Sequence, residues 1–342
     1  MIVLIDPCHR IVYSSFYIQG LIELVGPTSI RFSSKGFEGL NQKSETHGFD
    51  HYFAFIVKDK FGDKRIIIDF RDKRSIKEIA YNWCDVYSKI NYHKESTPEK
   101  FHSKTISIPP SFGVKIWGLF ETILFAISNL LKTNFRLSTS VHLFMASYKG
   151  QYLRPKHFDY LLNESVVKNY VFFISSIWNH ENCINETNPR RAEFVKLCKQ
   201  HNSLMFEGGL FIYQEVDEKS PYFKLRINKR YSYQDYLQLT KRSMFVFNTP
   251  AVFNCHGWKL GEFLAMGKAI ISYPISNDLP APLIHKENIY IVNNFEELQI
   301  AINELINDPN LRLKLEIGSR AYYKKWCSPL SVIKNILCYY GE

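Results

Sequence analysis

Residues 248–282 run NTPAVFNCHGWKLGEFLAMGKAIISYPISNDLPAP, and their order of apolar and polar segments points to a parallel α/β sheet. An apolar run at 244–247 reads as a strand. The polar turn Asn254-Cys-His-Gly257 then delivers the chain to a short helix over 258–265. Gly267 closes that helix, and Ala269-Ile-Ile-Ser272 is strand-like again.

The same alternation extends outward on both sides. Tyr170-Val-Phe-Phe-Ile174 is an apolar run of the kind found in buried parallel strands. Asn188-Pro189 signals a helix start, and the strand at 204–206 is expected to end in Glu207-Gly208-Gly209. Helices are expected at 233–241, 295–306 and 311–326, with a further strand at 289–292. The first half opens on a strand at 2–5, a polar aromatic loop at 13–17 and a helical run at 18–24. Strands are expected at 29–32, 52–57, 65–70 and 105–108, and helices at 75–90 and 117–131. The stretch 35–66 also fits a hairpin. A less periodic, polar stretch at 154–169 marks a crossing. The expectation is an α/β chain of two Rossmann-like domains facing across a cleft, 1–160 and 161–325, with 326–342 returning to the first.

The turn at 254–257 is where chemistry is expected. Backbone N–H groups at the start of the helix, together with its dipole, suit an anion. Gly257 permits close approach, Asn254, His256 and Trp258 flank it, and Lys259 adds a charge suited to phosphate. Glu262, one turn on and on the face of Trp258, is placed to accept two hydroxyl protons, as a ribose diol requires. The same residues also fit a turn glycine, a solvated lysine and a surface acid.

Segment 261–271, Gly-Glu-Phe-Leu-Ala-Met-Gly-Lys-Ala-Ile-Ile, resembles the donor-binding signature of GT-B glycosyltransferases, particularly the group 1 (family 4) type among surface-polysaccharide enzymes. There an acid precedes a short helix bearing a second acid, followed by Ala-Met-Gly-Lys-Pro-Val-Ile. Glu262 matches the second acid, whose implied role is to hold the nucleotide ribose, while the first would fall on Asn254. In the family that first acid is associated with the sugar of a retaining transfer, so retaining and inverting outcomes both stay open. Leu279-Pro280 and residues 285–289 resemble the loop and strand after the donor helix, and 295–298 and 307–312 resemble the tail helices. The resemblance spans about residues 244–327; the N-terminal half matches in general layout only.

It implies transfer from a nucleotide-sugar, which is a substrate rather than a cofactor, to a glycan or lipid-linked acceptor. Glu207, Gly208 and Gly209 would lie near the base, and Arg190 or Arg191 near the diphosphate. Each also fits a plain turn or a solvated helix arginine. Ser14, Ser15, Tyr17 and Ser111 are acceptor-side candidates, although a serine at 14 or 15 would equally cap a helix. An inverting transfer needs a general base, for which Asp72, His51 and Asp6 are candidates.

Composition narrows the alternatives. Net charge is +10, with 22 basic and 16 acidic side chains up to residue 165 and 21 and 17 after it. That diffuse field suits an anionic small ligand or an inner-leaflet membrane surface, and no Lys/Arg–aromatic stripe points to nucleic acid. Seven scattered cysteines without a CxxC pair fit a reducing cytoplasm, and no signal peptide opens the chain. Metal-ligand spacings, GxSxG, a P-loop and a dinucleotide fingerprint are missing. The run 117–131 fits either an interfacial helix at a membrane or a buried core helix, and its near-complete apolar circumference favours burial. A nucleotide-sugar epimerase and a basic nucleic-acid-binding protein are the rival readings.

Overall fold

The computed structural model describes residues 1–40, 52–133, 136, 139–212 and 220–338. Its architecture is mixed α/β in two units. The first comprises Met1–His157, Asp278–Pro280 and the segment from Trp326; the second comprises Phe158–Asn277 and Ala281–Lys325.

The N-terminal unit is built on a six-stranded sheet. β1 (Ile2–Ile5) leads into α1 (Ile11–Val25) and returns as β2 (Ile30–Phe32), parallel to β1. β3 (Tyr52–Asp59) and β4 (Gly62–Asp69) form an antiparallel hairpin. α2 (Glu78–Trp83), β5 (Val86–Lys89) and β6 (Thr105–Ser107) follow, giving the order β2-β1-β3-β4-β5-β6. The hairpin inserts one antiparallel strand, β3, into a sheet that is otherwise parallel. β3 carries Tyr-Phe-Ala-Phe-Ile-Val, buried on both faces, and so occupies the middle of the sheet.

Two expectations change here. The helix expected over 75–90 is only α2, and Val86 and Tyr87 belong to β5. Their spacing fits a helix as well as a strand. The decision falls at Asp85, whose amide donates to the Arg65 carbonyl at 2.8 Å and whose carboxylate accepts from the Arg65 amide at 2.7 Å. The second change concerns 13–17: these residues lie inside α1, and the loop after β1 is residues 6–10. Serine can sit within a helix by bonding back to the preceding turn. Ser14 Oγ donates to the Arg10 carbonyl at 3.2 Å, and Ser15 Oγ donates to that of Val12 at 3.4 Å.

The unit continues with α3 (Leu119–Lys132) and α4 (Val141–Tyr152), which pack against each other. α3 does not have the buried apolar circumference expected of it: its buried residues are Thr122, Ala126 and Asn129, and much of its apolar surface is exposed. α5 (His157–Leu161) opens the C-terminal unit.

That unit contains β7 (Tyr170–Ser176), α6 (Asn188–Gln200), β8 (Met205–Phe211), α7 (Tyr233–Arg242), β9 (Val246–Asn248), α8 (Trp258–Ala265), β10 (Ile270–Ser272) and β11 (Tyr290–Ile291). All pairings are parallel. The Met244 amide donates to the Tyr170 carbonyl at 2.8 Å, and the Phe172 amide donates to Ser243 Oγ at 2.8 Å, placing β7 beside β9. The order is therefore β8-β7-β9-β10-β11, a doubly wound sheet that reverses direction between β7 and β9. Its core includes an aromatic stack, Phe194 of α6 on Phe247 of β9 with ring centroids 4.3 Å apart. α9 (Phe295–Asn307) and α10 (Pro309–Tyr322) complete the unit. α11 (Pro329–Cys338) lies against α1 in the N-terminal unit.

Candidate donor site

The switch point between β7 and β9 is where open α/β sheets bind ligands, outside the carboxyl ends of the strands. Two helices start there, α6 after β7 and α8 after β9. Gly257 is the N-cap of α8 and has no side chain to cap it, and the first turn holds no acid. Its far end is closed as expected by Gly267, in the left-handed region at φ 60°. A Cβ built on Gly257 would meet no protein atom within 4 Å, so nothing in this chain's own packing calls for glycine there. The start of α8 at Gly257 therefore borders open space, and within its first turn the Leu260 amide donates back to the Gly257 carbonyl at 3.1 Å.

Lys259 folds inward. Its ammonium donates to the Ile174 carbonyl near the end of β7 and lies 4.9 Å from the centre of the Phe173 ring. Desolvation, then repulsion from the Arg191 guanidinium, brings its pKa down to about 7, while Glu262 pulls the other way. Arg191, not Arg190, is the inward arginine of α6. It is buried, donating from Nη1 to the Ser176 carbonyl at 2.7 Å and from Nε to Thr249 Oγ1 at 3.0 Å. It thereby bridges the ends of β7 and β9, and burial brings its pKa down to about 10. Arg190 instead pairs with Glu186 at 2.8 Å and covers the Tyr273 ring.

Glu262 is buried on α8, where its Oε2 accepts from the Tyr236 hydroxyl at 3.1 Å. Burial first, and the carboxylate second, push the Tyr236 hydroxyl well above its ordinary pKa, so it stays a donor. The structure thus brings Gly257, Trp258, Lys259 and Glu262 together on one short helix, with buried His256 just before it.

The loop entering α8 is strained. Phe253 and Asn254 both have positive φ, 57° and 56°, an unusual backbone for an aromatic residue. Asn182 holds it: Oδ1 accepts from the Phe253 amide at 3.1 Å, and Nδ2 donates to the Ala251 carbonyl at 2.9 Å and to Asn254 Oδ1 at 3.0 Å. The His180 ring meets Phe253 edge-on at 4.4 Å.

The segment 207–209 does not end β8, which continues to Phe211. Glu207 pairs with Phe172, four residues short of the carboxyl edge. Its carboxylate is held by the hydroxyls of Tyr170 (2.8 Å) and Tyr231 (3.1 Å) and by Lys229 (3.2 Å). Gly208 has φ 119°, and a Cβ there would fall 2.0 Å from the Phe173 carbonyl oxygen, so strand packing explains it.

In the N-terminal unit, Ser14, Ser15, Tyr17 and Ser111 are all buried. Ser15 Oγ also accepts from the Val114 amide at 3.0 Å. Asp72 is exposed just beyond β4, and His51 lies outside the described residues. The buried carboxylate at that strand end is Asp69, ion-paired with Lys89 at 2.8 Å and Arg71 at 2.6 Å. Burial opposes its charge, yet the two cations hold its pKa well below the usual carboxylate range. Asp6 is buried against Arg136 at 3.1 Å, and burial raises its pKa. Among the described residues, no group of three or more His, Cys, Asp or Glu could hold a metal ion.

Asn182 was not among the expected site residues, nor were the bonds of Arg191 to Thr249 and of Tyr236 to Glu262. Of the two arginines expected near a diphosphate, Arg191 is the one directed inward.

No protein-family model matches this chain, and no curated protein does. Solved structures do. One is the C-terminal domain of a group 1 family glycosyl transferase, LpcC, from Francisella tularensis, at 13% identity over 47% of this chain and 86% of that one, TM-score 0.32. A glycosyltransferase from Rickettsia africae matches at 14% identity over 80% and 69%, TM-score 0.35. TarM matches at 13% identity and TM-score 0.39 over 52% of this chain, and the match spans 36% of TarM's length.

Proposed function

We propose that this chain is a GT-B-type glycosyltransferase. It would move a sugar from a nucleotide-sugar bound by the C-terminal unit to a hydroxyl of a glycan or lipid-linked acceptor, in cell-surface polysaccharide synthesis on the cytoplasmic side of a membrane. The observation that carries this is that Lys259 and Glu262 share a helix that starts at Gly257 beside open space, at the switch point of a doubly wound sheet.

In this reading the first-turn amides of α8 and the Lys259 ammonium receive the diphosphate. Arg191, behind Lys259, adds positive potential. These fixed charges favour the leaving diphosphate as the glycosidic bond breaks. Glu262, oriented by Tyr236, accepts the ribose hydroxyl protons. Asn254 stands where the family's first acid would be, with its side chain committed to Asn182. For an inverting transfer Asp72, exposed at the end of β4, is the base candidate, since Asp6 is buried against Arg136. The nucleotide-sugar is consumed as substrate, and no cofactor is invoked.

The test is a thermal-shift panel of UDP, GDP, ADP and CMP and their sugars on wild type and on Glu262→Ala. One nucleotide should raise the wild-type midpoint by several degrees and the variant's by much less. Absence of any shift in the wild type, or equal shifts in both, would overturn the donor site.

A further inference from the structure

α3 is amphipathic with its faces reversed. Thr122, Ala126 and Asn129 point into the N-terminal unit, and Asn129 Nδ2 donates to the buried Tyr148 hydroxyl at 2.8 Å. Leu119, Phe120, Ile123, Leu124, Ile127 and Leu131 are exposed, Phe120 to 81%, Leu124 to 68% and Leu131 to 77%. At about 100° per residue these six side chains fall within an arc of roughly 140°. A helix of a water-soluble unit ordinarily turns such a stripe inward. Here a small and polar face anchors the helix, and the apolar face is left over.

The charges in the surrounding sequence are nearly all positive. Between residues 115 and 156 the chain carries Lys115, Lys132, Arg136, Lys149, Arg154 and Lys156 against one acid, Glu121. Glu121 is used locally, accepting from the Gly118 amide at 2.8 Å at the start of α3. Arg136 is paired with Asp6 and Arg154 is buried, but Lys132 and Lys149 are exposed and Lys115 is partly so. The stripe consists of Leu, Ile and Phe, without the Trp, Tyr and Arg that anchor protein interfaces.

We infer that α3 is a membrane-docking helix, lying in the plane of an anionic lipid surface with its apolar stripe among the acyl chains and its flanking lysines at the headgroups. Among the described residues no helix is long and apolar enough to cross a membrane, so the contact is with the surface. No residue of the candidate donor site takes part, and the inference stands or falls apart from the sugar-transfer reading.

The test is co-sedimentation of the full chain with phosphatidylcholine vesicles, with and without about 30 mol% phosphatidylglycerol, at low and high salt. Wild type should bind the anionic vesicles at least about tenfold more tightly than neutral ones and lose binding at high salt. The double substitution Phe120→Asp, Leu124→Asp should weaken binding by about tenfold or more with the thermal midpoint unchanged, since both residues are exposed. Lys132→Glu provides a second, milder variant that should also weaken anionic binding should the double variant fail to fold. The inference is overturned if wild type ignores anionic vesicles, binds neutral ones equally, or is unaffected by these substitutions. It also fails if wild type is a dimer that the double variant converts to monomer, which would make a second copy the occupant of this face.

Discussion

Asn182 and Asn254 join side chain to side chain at 3.0 Å across 72 residues of sequence. The bond holds the left-handed loop that aims the start of α8. Asn182→Ala removes three hydrogen bonds from that loop, and the cost should be about 1–3 kcal/mol by denaturant titration. The thermal shift given by the selected nucleotide should shrink as well. A full-sized shift in the variant would detach this loop from binding.

Lys259 gives the site a pH signature. Its pKa near 7 lies below the ordinary 10.5, so above pH 7 the unliganded protein holds it neutral. A bound diphosphate favours the charged form and raises that pKa, so binding takes up a proton. Affinity should therefore fall as pH rises above 7, by up to about tenfold per unit until the liganded pKa is reached. Lys259→Met should bind weakly with a flat profile over the same range. Calorimetry in buffers of differing ionisation enthalpy reads the proton uptake directly.

Glu262 should discriminate ribose from deoxyribose. Wild type should prefer the ribonucleotide to its 2′-deoxy analogue by about tenfold, and Glu262→Gln should lose most of that preference. Tyr236→Phe, which removes the hydroxyl bonded at 3.1 Å, should lose part of it through a less firmly oriented carboxylate. An unchanged ratio in Glu262→Gln would place the ribose elsewhere.

His9 should tie stability to acid. It is buried, Nδ1 donating to the Asp6 carbonyl at 2.5 Å, and burial lowers its pKa from 6.5 to about 4. Above pH 6.5 both folded and unfolded forms are neutral and stability is intact. As pH falls from 6.5 towards 4 only the unfolded chain takes the proton, so stability falls by up to about 3 kcal/mol. Urea titrations of wild type and His9→Gln across that range should show a shallower acid loss in the variant.

Gly20 faces α11, and a Cβ there would lie 2.2 Å from the Pro329 carbonyl oxygen. Gly20→Ala should therefore destabilise the protein by about 1–3 kcal/mol despite alanine's better helix propensity. A stabilised variant would show that α11 yields its position easily.

The sites that local sequence made legible share a short-range cause. α8 begins at Trp258 and ends at Ala265 as its turn residues demand, and α7 and α9 follow their apolar spacing closely. Lys259 and Glu262 were visible as a pair because one helical turn separates them. Asn182 was not, and neither were the bonds of Arg191 to Thr249 and of Tyr236 to Glu262, since each of these side chains reaches its partner from another loop or helix. Glu207 misled for a related reason: an acid followed by two glycines looks like a strand end, while tyrosines from β7 and from the segment before α7 make it an interior anchor.

Sequence by itself determined the ends of helices such as α7, α8 and α9 and, in the C-terminal half, the alternation that implies parallel strands, because these follow from side-chain spacing and backbone preference within one or two turns. Only the tertiary structure decided which face of a helix meets the core and which distant side chains share a carboxylate or a loop. An apolar stripe such as that of α3 reads identically whether buried or bare; its environment is set by segments remote in the chain, and here they left it in water.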